Sequence, residues 1–210
     1  TGGNHIETTV GTLSAEVGTG GLFVTESDGV VVDTVAAVTV NRVKTDGTVT
    51  ASTVTDGALN DLTTSSNGSA VLVSTLGDIT LKDGSDGDGK AVDVNGSGNI
   101  RIDAVAGAVD IQSGVSTGTG HISVLAGTTL SQSTGAADVT TVGGTVDMKA
   151  GTGIAMVDGA LTSSGNGNVR YESVTGDITL GEIGAGSGKV AVVATAGSIL
   201  DVGVDTSVVD

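Results

Sequence analysis

Residues 167–180 read GNVRYESVTGDITL and hold one small pattern twice, a glycine followed by polar, apolar, polar and apolar residues. Such alternation is the signature of a short strand with one buried and one solvated face, because successive side chains point to opposite sides. The pattern recurs at Gly98-Asn99-Ile100-Arg101-Ile102, Gly120-His121-Ile122-Ser123-Val124, Gly144-Thr145-Val146-Asp147-Met148 and Gly188-Lys189-Val190-Ala191-Val192. Paired glycines nine residues apart, such as Gly167/Gly176 and Gly188/Gly197, mark two strand starts separated by a bend. Glycine there is expected to supply the backbone angles of a sharp corner.

Stepping from pair to pair gives a longer period. Gly98, Gly120, Gly144, Gly167 and Gly188 follow one another at 21–24 residues, and Gly47, Gly68 and Gly89 extend the series upstream at 21. Two clear strands and a looser third stretch in each repeat make one coil of a parallel β-helix, whose coils gain a core only from their neighbours. The reading is an all-β parallel β-helix (β-solenoid) of about 8–9 coils of 21–24 residues, forming a single domain over 1–210. Residues 1–19 would be an N-terminal coil or cap, and the rod would be roughly 40 Å long at ~4.8 Å per stacked strand.

The register makes side-chain expectations. Ile100, Ile102, Ile122, Val124, Val146, Met148, Val169, Tyr171, Val190 and Val192 should line one inner wall, and Ile79, Leu81, Val109, Ile111, Ile178, Leu180 and Ile199 another. Asp147 and Arg170 both stand third after their glycines, so they should form an exposed pair across one strand spacing.

Composition agrees with a narrow aliphatic interior: 38% hydrophobic residues and 36 Gly, with only Phe23 and Tyr171 as aromatics. The net charge of −16 disfavours nucleic acid and anionic lipid as partners. No apolar run is long enough to span a bilayer as a helix. The chain opens TGGNHIETTV, without an initiator Met, and reads as a segment of a longer repetitive protein.

Chemistry is sparse. With no Cys and only His5 and His121, neither a thiolate site nor a Ser-His-Asp constellation is expected, and no catalytic residue is assigned. Asp78 and Asp177, each in a GDITL string, are the natural paired carboxylates of a glycosidase-like site, but their repetition suggests a corner role. GAGSGKV at 184–190 fails as a phosphate loop, because Ile183 stands at the first required glycine and Val190 at the Ser/Thr. The acidic corner from Lys82 to Lys90 supplies the metal candidates Asp83, Asp86 and Asp88, with calcium the ion that oxygen ligands would favour. No other cofactor is expected. The Thr-rich stretches Thr48-Val49-Thr50, Thr53-Val54-Thr55 and Thr117-Gly118-Thr119 could offer a hydroxylated glycan- or ice-binding face, although they do not recur with the repeat.

The G-x-[IV]-x-[IVLM] units with GDITL-type second strands resemble the long secreted bacterial adhesins and giant exoproteins of the filamentous-haemagglutinin type. The resemblance covers roughly residues 20–200 and lies in repeat grammar. It implies a right-handed β-helical shaft at the bacterial cell surface, outside the cell, without enzymatic activity, mediating attachment to a glycan or protein on a host or neighbouring cell. The coils here are longer and less regular than that family's repeat. Partners along the rod would be flanking repeats or other copies joined end to end, which makes a self-assembling filament the alternative.

Overall fold

The computed structural model describes residues 4–49 and 54–203. Within them lie 25 short strands and no helix, hence no helix long and apolar enough to cross a membrane. Three sheets run the length of the rod, with eight, eight and seven strands, and every neighbouring pair in them is parallel. The first seven coils each contribute one strand to each sheet in turn and the last described coil one to each of the first two, so the chain is a parallel β-helix of eight coils, as the repeat predicts. The looser third stretch is the third sheet, with strands such as Lys90–Val94, Gly114–Thr117 and Val139–Thr141.

The inner walls follow the expected register. Ile100 sits over Ile122, then Val146, Val169 and Val190 in the first sheet. Val30, Ile79, Val109, Leu130, Ile154, Ile178 and Ile199 stack in the second. All the named wall residues up to Ile178 are buried, while Val190 and Ile199 are 47% and 54% exposed because they belong to the last described coil. The third wall is less purely aliphatic. Buried Gln132 reaches across the interior, donating to the carbonyl oxygen of Ala137 at 2.6 Å and accepting from the Thr162 hydroxyl at 3.0 Å. That brace satisfies polar groups which would otherwise be costly so far from water.

Two expectations are corrected. Coil length is uneven: successive register partners lie 18, 48 and 30 residues apart before settling to 22, 24, 23 and 21. The longest coil carries an excursion between Val32 and Leu62, built on the antiparallel pair Val38–Val40 and Val54–Asp56. Gly47 therefore does not start a coil; it closes a turn in the excursion, its amide donating to the carbonyl of Lys44 at 3.0 Å. Gly89 precedes a strand of the third sheet, and the coil step from Gly68 leads to Gly98 instead.

The second correction concerns why the repeat glycines are glycine. Gly98, Gly120, Gly144, Gly167 and Gly188 are absent from the residues with positive φ, so unusual backbone angles are not what they supply. They stack in one column, and a Cβ on each would overlap the carbonyl oxygen of the glycine one coil earlier. Hydroxyls from the end of the third sheet occupy the same spot: Thr117 donates to the Gly98 carbonyl at 2.7 Å and Thr141 to that of Gly120 at 2.8 Å. Close approach of backbone to backbone is the constraint.

On the outer face Asp147 and Arg170 are register partners, with Arg170 Nη1 3.1 Å from Asp147 Oδ1, as expected. Arg170 also bonds Glu172, whose carboxylate takes Lys149 at 3.5 Å. All four side chains are partly solvated, and exposed pairs contribute about 0–1 kcal/mol. Arg170→Ala should therefore shift the urea midpoint only marginally; a collapse in stability would assign this cluster a role the packing does not suggest.

Candidate functional site

A site needs polar side chains that converge without spending their hydrogen bonds on the scaffold. Most candidates here are spent. Asp78 Oδ1 accepts the amide of Ala108, and Asp177 Oδ1 that of Ser198, both at 2.7 Å. Asn99 and Asn168 hold the amides of His121 and Lys189 in the same way, at 2.8 and 2.9 Å. The residue just before a strand thus braces the corner of the next coil, and Asp78 and Asp177 stand four coils apart in the second sheet. His121 Nδ1 accepts from the Thr145 amide at 3.0 Å, and His5 Nδ1 lies 2.8 Å from the Thr25 hydroxyl. A shallow recess on the outer face of the second sheet, beside Ser131, Ala155 and Thr179, contains Asp177 as its one ionisable group.

The threonine stretches do not share a face. Thr48 and Thr55 stand on the excursion, Thr117 is buried in the third wall, and Thr50 and Thr53 lie outside the described residues.

The acidic corner is different. It connects Ile79–Leu81 in the second sheet to Lys90–Val94 in the third. Directly before it in the stack, the same corner of the preceding coil opens into the excursion, which leaves after Val32 and returns at Asp61. The two levels are tied together. Asn60 Oδ1 accepts from the Thr34 hydroxyl at 2.6 Å, from the Ser85 amide at 3.1 Å and from the Ser85 hydroxyl at 3.2 Å. Lys82 donates its amide to the Val32 carbonyl at 3.0 Å, and its ammonium lies 3.6 Å from Asp33. Gly84, at φ +63°, packs so closely on Asn60 that a Cβ would stand only 2.8 Å from Asn60 Oδ1.

Inside this junction lies Asp61, a residue that the sequence reading did not single out. Its backbone takes the left-handed conformation at φ 59°, which short polar side chains tolerate best. Its carbonyl accepts from the Ala15 amide at 2.9 Å, and its side chain is 1% exposed. No donor reaches Oδ1. Oxygens of Asp61, Asp83 and Asp86 lie within 4.8 Å of one another. Asp88 turns its Oδ1 to the amide of Lys90 at 2.9 Å, and Asp83 keeps one oxygen on the amide of Gly89 at 2.9 Å. The structure thus gathers Asp83 and Asp86 around a buried third carboxylate from the coil before.

Electrostatics sets this corner apart. Burial, then the charges of Asp86, Asp88 and Asp83, and a hydrogen bond shared with the Asp86 carboxylate push the Asp61 carboxyl up to about 7. Among the described residues, the other fully buried acid is Glu26, which burial alone would also raise. It is instead held below the usual carboxylate range, because Thr8, Val10 and Ser27 all donate to it, at 2.5, 3.1 and 3.0 Å. Glu26 has donors on both carboxylate oxygens, whereas Oδ1 of Asp61 has none. A buried carboxyl perturbed by its neighbours marks a candidate functional site, and three converging carboxylates are a donor set for a hard cation.

No known protein family matches this chain, and no curated protein or solved structure matches it either.

Proposed function

We propose that this chain is a non-enzymatic structural and adhesion segment, a rigid β-helical shaft within a large bacterial surface protein, displayed outside the cell to mediate attachment. One observation carries the reading: the polar side chains at the coil corners are spent on the next coil. Asp78, Asn99, Asn168 and Asp177 each bond an amide one level on, which supports a part built for continuity along an axis. The net charge of −16 keeps such a rod soluble and turns nucleic acid away. The first-coil strands Ile6–Thr8, Thr12–Leu13 and Ala15–Val17 and the last-coil strands Val190–Ala194 and Ile199–Asp201 have open edges in the described structure. Flanking repeats or a second copy joined end to end would pair with them.

The test is display. Antibodies raised against the folded chain should label intact cells of the organism that makes it, and beads coated with the chain should attach to host or neighbouring cells. Labelling that requires lysis would overturn the surface assignment. Light scattering over a concentration series addresses the filament: growth of particle mass with concentration supports end-to-end assembly, and a constant mass supports flanking repeats of one chain.

A further inference from the structure

We propose that Asp61, Asp83 and Asp86 form a calcium site that staples the base of the 33–61 excursion to the next coil of the rod. Two independent observations point there. The first is geometric. Oxygens held at about 2.4 Å from one calcium ion are separated by at most about 4.8 Å, and the three carboxylates fall within that span. The second is the orphaned Oδ1 of Asp61, buried with no donor. A buried carboxyl oxygen without a hydrogen bond is costly, and Glu26, the other fully buried acid among the described residues, is by contrast given three protein donors.

The neighbouring cations are directed elsewhere. Lys82 faces Asp33 at 3.6 Å and Lys90 faces Asp93 at 2.9 Å. The ligands come from two chain levels: Asp61 ends the excursion, and Asp83 and Asp86 belong to the corner that Asn60 already grips through Ser85. An ion bound between them would cross-link those levels. The exposed side of Asp86 leaves room for water to complete the six to eight oxygen ligands that calcium takes. Magnesium demands shorter bonds and a stricter octahedron, and should bind more weakly. Zinc favours nitrogen and sulfur donors, which this corner lacks.

The experiment uses the full chain, stripped with a chelator and titrated with calcium chloride by isothermal titration calorimetry, with thermal unfolding followed in parallel. One ion should bind per chain and raise the melting temperature by several degrees. Asp61→Asn and Asp86→Asn should each weaken binding at least tenfold, and Asp88→Asn should leave it within about twofold. Asp86 is exposed, so its variant keeps the fold intact, and circular dichroism verifies this for both. Amide exchange should slow on calcium addition at Gly84–Gly87 and around Asn60 in the wild type alone. Absence of calcium binding in the wild type would overturn the site, as would equal binding by Asp61→Asn and Asp86→Asn or an equal loss on Asp88→Asn.

Discussion

Gly144→Val should destabilise the chain by about 3 kcal/mol or more, at or beyond the upper end of ordinary overpacking, while Gly143→Ala, one residue earlier, should leave the unfolding midpoint unchanged. The two glycines are adjacent in sequence and opposite in surroundings. A Cβ on Gly144 would overlap the carbonyl oxygen of Gly120 and meet the Thr141 hydroxyl at 3.0 Å, whereas nothing lies within 4 Å of one on Gly143. The obstacle at Gly144 is backbone that also takes a hydrogen bond from Thr141, so it cannot move aside without opening the coil. Urea unfolding monitored by circular dichroism would show the contrast. Equal midpoints for the two variants would mean that the coils do not approach each other so closely.

A comparable loss is expected from Ile178→Ala, by a different route. Ile178 is fully buried between Ile154 and Ile199 in the second wall. Removing its branched end takes away apolar burial and leaves a cavity that rigid sheets on three sides cannot close, a cost of about 2–5 kcal/mol. Ile199→Ala is the matched control. It occupies the same register position in the last described coil but is 54% exposed, so its truncation should cost under about 1 kcal/mol in this chain. If both substitutions cost the same, burial does not decline toward the end of the rod as described.

How plainly each sheet alternates in sequence decides which parts of the architecture are readable. The units of the first sheet declare themselves because Ile100, Ile122, Val146 and Val169 each follow a glycine by two residues and alternate with polar positions. The same spacing places Asp147 beside Arg170, the ion pair found on the outer face. The third sheet was fainter, since strands such as Val139–Thr141 are short and place Thr beside Val, so the alternation is hardly stated. The excursion was hidden by accident. Gly47 happens to precede Gly68 by the length of a coil, yet it serves a local turn, and periodic spacing alone cannot tell a stacked glycine from a turn glycine.

The acidic corner shows the same limit. Asp83 and Asp86 stand together in a conspicuous run and were legible as candidate ligands. Asp61 stands apart, an ordinary acidic residue before the short strand Leu62–Thr64, and nothing local sets it off. Only the lateral pairing of Leu62–Thr64 with Val92–Val94 carries it next to that run. Aligning the third-sheet strands of successive coils is the signal that would have found it, and those are the strands whose pattern is weakest.

The claim on which all of this rests is that successive coils lie in register at a constant rise. Nitroxide labels placed one pair at a time on outward positions of the first sheet measure that directly. Ala191 is linked coil by coil through Arg170, Asp147 and Ser123 to Arg101, then Val71, then Phe23. Double electron–electron resonance should give separations for Ala191 with Arg101, Val71 and Phe23 that climb by about 4.8 Å at each step. Separations that fail to increase in that order, or that jump by the length of a folded-back hairpin, would contradict the stacked-coil account.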